Sequence, residues 1–103
     1  MEAEEFSVVL TGAKFAAEEA IRGMKEMMYC GFAWVNVYGV RKGSKFSKVL
    51  EANGFRHVAY AKAHQYWVSV GGQSMDVKEA YASAMAKALS AAGLRAFADS
   101  RAD

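Results

Sequence analysis

Proline is absent from this chain, so no helix or strand is interrupted by a missing backbone donor, and glycine alone marks the joints. Cysteine is almost absent too. The single Cys30 cannot close an intramolecular disulfide, and Met1-Glu2-Ala3-Glu4-Glu5 lacks the basic and apolar regions of a secretory leader, which together predict a reducing, cytoplasmic setting. No apolar run approaches the roughly 18 residues that a membrane helix needs, so no membrane partner is expected. Nor does one sign of charge dominate. Thirteen basic side chains stand against eleven acidic ones, a net charge of +2, which is too balanced for a protein that coats DNA or a membrane surface. Any electrostatic partner has to be read by a local patch. At 53% apolar and 23% charged residues the composition is that of a globular chain, which should fold.

A length of 103 residues supports one modest core, hence a single domain over 1–103. Residues 1–9 read as disordered or as a short strand. Leu10, Ala13, Ala17, Ile21, Met24 and Met28 then recur at steps of three and four, which predicts an amphipathic N-terminal helix over 10–29 with Thr11 as its cap. Residues 30–40 are rich in β-branched and aromatic side chains and read as a strand. After the turn Arg41-Lys42-Gly43, Ser44 caps a short helix carrying Phe46, Val49 and Leu50. That helix stops at Asn53-Gly54 with apolar Phe55 just beyond, the Schellman signature. Strands over 56–61 and 65–70 follow, joined by a turn at Lys62 to His64, and Gly71-Gly72-Gln73-Ser74 reads as a loop. Asp76 and Glu79 have the spacing of a capping box for a helix carrying Val77, Tyr81, Met85 and Leu89, which ends at Gly93-Leu94 by the same device. A short strand over 95–98 and a polar tail over 100–103 close the chain.

The order after the first helix is βαββαβ, which predicts an α+β, ferredoxin-like core over 30–99. Its four-stranded antiparallel sheet would have the first and third strands central and two helices on one face, with the N-terminal helix as an addition. Alternation then places Ala33, Val35, Val37, Tyr66, Val68 and Val70 toward the helices. Phe32, Trp34, Asn36, Tyr38, Trp67 and Ser69 fall on the opposite face. So aromatic a face calls for a cover. One cover is the N-terminal helix, through Ile21, Met24 and Met28. Another is a second copy of the chain or a host protein partner, since aromatic residues and methionine favour interfaces. The third is a nucleotide or single-stranded nucleic acid stacked on the rings, although the glycine-rich RNP1 consensus is missing.

Candidate contacts for an anion or an acidic partner are Arg41, Lys42, Ser44, Lys45 and Arg56, grouped around the turn and the start of the second helix. Lys42-Gly43-Ser44-Lys45 nevertheless lacks phosphate-loop spacing. His57 and His64 are the two histidines, and a small enzyme using either would need a carboxylate that the neighbouring sequence does not supply. With one cysteine and two histidines there is no metal-ligand spacing, and no cofactor motif is present. The expectation is a non-catalytic binding protein, self-associating through the aromatic face and flanked by a basic turn. Arg101 would be a ready partner for an anion if the tail folded back.

The hexapeptide Cys30-Gly31-Phe32-Ala33-Trp34-Val35, the lysine-rich stretch 44–53 and the ending Ser100-Arg101-Ala102-Asp103 resemble small accessory proteins encoded by tailed bacteriophages. The resemblance spans residues 30–103. It implies a virus-encoded protein acting in a bacterial cytoplasm, and it carries no residue roles with it.

Overall fold

The structure is a computed structural model that describes residues 1–25, 29–70, 72 and 74–102. Expectations resting on Met28, Gly71, Gln73 and Asp103 lie outside the described residues.

Helix α1 (Ala3–Ile21) begins well before residue 10. Phe6, Leu10, Ala13 and Ala17, spaced by four, three and four, form its buried stripe, so neither disorder nor a strand occupies residues 3–9. The first turn holds Glu4 and Glu5, which suit the positive end of the helix dipole. The Glu2 backbone N–H donates to the Glu5 carboxylate at 3.4 Å, so Glu2 caps the helix and Thr11 sits within it. The helix stops at Ile21 rather than running to residue 29, because Gly23 takes the left-handed conformation (φ 79°) just beyond its end.

Strand β1 (Gly31–Tyr38) alternates as its sequence requires, with Ala33, Val35 and Val37 buried. In α2 (Lys45–Ala52) the Ser44 hydroxyl accepts the Ser47 N–H at 3.2 Å. Its end is the expected Schellman turn: Phe55 N–H donates to Leu50 O at 3.0 Å, Gly54 N–H donates to Glu51 O at 3.1 Å, and Gly54 has φ 93°. Helix α3 (Met75–Ala91) ends likewise, with Leu94 N–H on Leu89 O at 3.1 Å. Its cap is Ser74, whose hydroxyl accepts the Val77 N–H, so Asp76 belongs to the first turn rather than to a capping box.

The hairpin is displaced from the expected position. β2 (Arg56–Val58) and β3 (Ala63–Trp67) are joined by residues 59–62, closed by Lys62 at φ 54°, so His64 lies inside a strand and not in the turn. The last strand, β4 (Arg95–Ala102), is longer than expected and includes the supposed tail through residue 102. It pairs along all of β1, from Gly31 opposite Ala102 to Tyr38 opposite Arg95. Only a residue without a side chain fits at the start of this ladder: a Cβ on Gly31 would stand 2.9 Å from the Arg101 carbonyl oxygen.

The sheet order is β2-β3-β1-β4 with every pair antiparallel, so the first and third strands are central. The chain is thus α+β, with three helices and a four-stranded antiparallel sheet. Helix α3 packs on β1 and β4, and α1 lies against α3 and α2. One core cluster joins Phe6, Leu10 and Ala17 of α1 to Val35, Val37, Leu50, Met85 and Leu89. Here the cover expected from α1 fails. Its apolar stripe belongs to the helical layer, Met24 is exposed, and among the described residues no helix lies on the aromatic face. No helix among those residues is long and apolar enough to cross a membrane.

Candidate functional site

The pleat of the two central strands decides what the open face displays. Trp34 of β1 lies directly opposite Trp67 of β3, and their rings stack with centroids 4.4 Å apart and planes 17° apart. Phe32 meets Trp67 edge-on at 6.1 Å, and Tyr38 lies 6.0 Å from Phe97 of β4. Trp67 is 44% exposed and Phe97 57%, so these rings are solvent-facing surface and not core.

Beneath the rings runs a chain of amides. The Trp67 indole Nε1–H donates to Gln65 Oε1 at 3.0 Å, and Gln65 Nε2 donates to Asn36 Oδ1 at 2.8 Å. Both amide side chains are buried, which fixes their roles: each finds its partner within the face.

Positive charge surrounds the rings. The Arg101 guanidinium lies 5.6 Å from the Phe32 centroid, and that of Arg95 lies 5.9 Å from Tyr38. Arg56 enters from β2, opposite Gln65. Lys78, reaching over from α3, places its ammonium 5.6 Å from Phe32 and donates to the Gly31 carbonyl at 3.4 Å. Among the described residues of β4, Asp99 is the acid on this surface, opposite Trp34. A shallow hollow of about 430 Å³ lies over Trp34, Asn36, Tyr38 and Trp67, with Asp99 and Arg101 on its rim.

The structure therefore brings Phe32, Trp34, Asn36, Tyr38 and Trp67 together, as sequence alternation expects, and sets Arg56, grouped in the sequence with the basic turn, beside them. The basic turn stands apart. Ser44 uses its hydroxyl to cap α2, and the Lys45 ammonium lies 5.3 Å from Phe46, whose ring packs on Phe6 of α1 in the helical layer. Arg41 and Lys42 are exposed in the turn before α2. The cations of the face are instead Arg95 and Arg101, which a short final strand conceals. Extending the alternation through Arg95, Phe97, Asp99 and Arg101 would have revealed them.

The histidines lie on the other side of the sheet. His64 Nε2 is 2.7 Å from the Ser47 hydroxyl, which lies 3.3 Å from Glu51 Oε1, and His57 meets His64 edge-on at 5.0 Å. A carboxylate is thus near after all, one helical turn along α2 from Ser47. The set still makes no nucleophile, because Ser47 and His64 are both fully buried and no substrate reaches them. With Nε2–H donating to Ser47 and the Ser47 hydroxyl donating to Glu51, every proton is used, and the unpartnered Nδ1 is left as a bare lone pair. Among the described residues, no group of three or more histidine, cysteine, aspartate or glutamate side chains is placed to hold a metal ion.

Burial lowers the His64 pKa below its ordinary 6.5, and His57 lowers it further against the opposing pull of Glu51. The unfolded chain therefore takes up this proton first. Stability is full above about pH 6.5 and falls as pH drops through the lower folded-state value. Urea unfolding midpoints should decrease from about pH 7.5 to about pH 5.5, with a flatter profile in His64→Leu. Equal midpoints in the parent protein would remove the argument.

Comparison with known protein families, with curated proteins and with solved structures returned no match.

Proposed function

We propose that the chain is a non-catalytic binding protein of ferredoxin-like topology that takes single-stranded nucleic acid on its open sheet face. The topology is supported by the βαββαβ order after α1 together with the strand order β2-β3-β1-β4. The observation that carries the function is the stacked Trp34–Trp67 pair, left uncovered on the two central strands and bordered by Arg56, Arg95 and Arg101, with Asp99 beside them.

Rings of this kind stack bases without regard to sequence, at about 1–3 kcal/mol per base. Guanidinium groups neutralise the phosphates that follow. RNA-recognition domains of ferredoxin-like topology also stack bases from central-strand aromatics. A second copy laid face to face is disfavoured, because its arginines would meet their own kind. The phage resemblance fits an accessory role in a bacterial cytoplasm.

The test is titration of the protein's tryptophan fluorescence with short oligo-dT and oligo-U. Quenching is expected, with affinity falling as salt rises by a log–log slope of about −0.7 for each phosphate neutralised, and Arg101→Ala should make that slope shallower by about one such step. Unchanged fluorescence at low salt, or binding indifferent to salt, would refute the assignment.

A further inference from the structure

We infer that, when no nucleic acid is bound, the open sheet face of one chain is covered by helix α1 of a second copy, head to tail, with that helix lying along β4. The pairing goes beyond the nucleic-acid reading and needs nothing from it.

The outer side of α1 departs from the polar surface usual for a helix of this kind. Its buried stripe, Phe6, Leu10, Ala13 and Ala17, faces the core, so the opposite side carries Glu4, Val8, Thr11, Phe15 and Glu18. All five are exposed. Val8 and Phe15, 71% and 63% exposed, stand about two turns apart and make an apolar centre. Glu4 lies about one turn before Val8 and Glu18 about one turn after Phe15, so that centre has an acid at each end. Glu19 adds no free charge there, because Arg22 is its ion-pair partner. Lys14 turns inward, with its ammonium 5.4 Å from the Tyr66 centroid.

The open sheet face matches this surface with the signs reversed. Along β4, Arg95, Phe97 and Arg101 put an exposed ring between two cations. Phe32 and the tryptophan pair continue the apolar surface onto β1 and β3. The lengths agree as well as the signs. Glu4 and Glu18 are separated by about 21 Å along a helix that rises about 1.5 Å per residue. Arg95 and Arg101 are separated by about 20 Å along a strand that rises about 3.3 Å per residue. With Val8 and Phe15 over the rings, a glutamate meets a guanidinium at each end, and Thr11, midway, offers Asp99 a hydroxyl donor.

Sign and spacing together select the occupant. Two sheet faces would set arginine against arginine, and two outer sides of α1 would set glutamate against glutamate. Helix α1 packs on α3 and α2, on the far side of the sheet from the open face, so a chain covers its neighbour and not itself. Such a contact between unlike surfaces is heterologous.

Light scattering on nucleic-acid-free protein should give a mass that rises above that of one chain as concentration increases. Glu4→Gln, Val8→Ser and Glu18→Gln together remove the helix side of the contact. Arg95→Gln, Phe97→Ser and Arg101→Gln together remove the sheet side. Each combination should hold at the mass of one chain, with native circular dichroism. Mixed in equal amounts, the two should form a pair of twice the chain mass, because one keeps the sheet side and the other the helix side. A contact between like surfaces is not restored by such mixing. Should the sheet-side variant fail to fold, tryptophan emission decides: in the parent it should move to shorter wavelength as concentration rises, and in the helix-side variant it should stay put. A parent at the mass of one chain at every concentration, a mixture that stays unpaired, or an emission that behaves alike in parent and helix-side variant would each overturn the inference. None of these readouts uses an oligonucleotide, so either idea can fail alone.

Discussion

Leu10→Ala should lower the unfolding free energy by about 2–5 kcal/mol, out of the roughly 5–15 kcal/mol that holds a domain of this size together. Leu10 is 1% exposed and shares the core with Val35 and Val37 of β1 and Leu89 of α3, so truncation leaves a cavity that neighbours on two other elements cannot collapse into together. At about 4–8 °C per kcal/mol the melting temperature should fall by roughly 8–40 °C. Phe15→Ala is the internal control. Phe15 lies on the same helix but is 63% exposed, and its loss should change stability by no more than about 0.5 kcal/mol. Equal effects at the two positions, read by thermal or urea unfolding, would mean that α1 is not part of the helical layer, and the case for an uncovered sheet face would go with it.

Trp67→Ala carries the largest expected effect on binding. Removing the exposed indole should weaken oligonucleotide binding by about 1–3 kcal/mol, roughly 5- to 150-fold. Trp67→Phe, which keeps a stacking surface, should recover much of that loss. Phe15 is also aromatic and is 63% exposed, but it lies on α1 in the helical layer, so Phe15→Ala should matter far less. Fluorescence anisotropy of a labelled oligonucleotide reads all three variants. Should Trp67→Ala bind within about twofold of the parent, the stacked pair is not the seat of binding.

The parts of this structure legible in the sequence are those where one local rule acts without a rival. The pleat of β1 is one, because Ala33, Val35 and Val37 alternate with Phe32, Trp34 and Tyr38. The glycine stops at Gly54 and Gly93 are another, since each needs a positive φ followed by an apolar residue. The first helix was obscured by competition: Phe6, Val8, Val9 and Leu10 suit a strand as well as a helix, and only packing against α2 and α3 decides. β4 was hidden for a different reason. Its helix-facing residues are Ala96, Ala98, Ser100 and Ala102, small enough to admit α3 closely, so the strand shows no apolar alternation. Its other face, Arg95, Phe97, Asp99 and Arg101, then reads as a polar tail. Half of the candidate site lies hidden with it, whereas Lys42 and Lys45, conspicuous in the sequence, lie in and beside the turn before α2. The meeting of Ser47 with His64 joins residues seventeen positions apart, and no spacing rule reaches across that interval.

Gln65 has an effect on ligand choice out of proportion to its visibility. It holds the Trp67 indole from below and is itself anchored to Asn36, so the upper ring has little rotational freedom left to surrender when a guest arrives. Because the two indoles already touch, no base can slip between them. On the proposed reading a guest stacks on a ring face that the two indoles do not share, and the pair enters the complex as one preassembled platform.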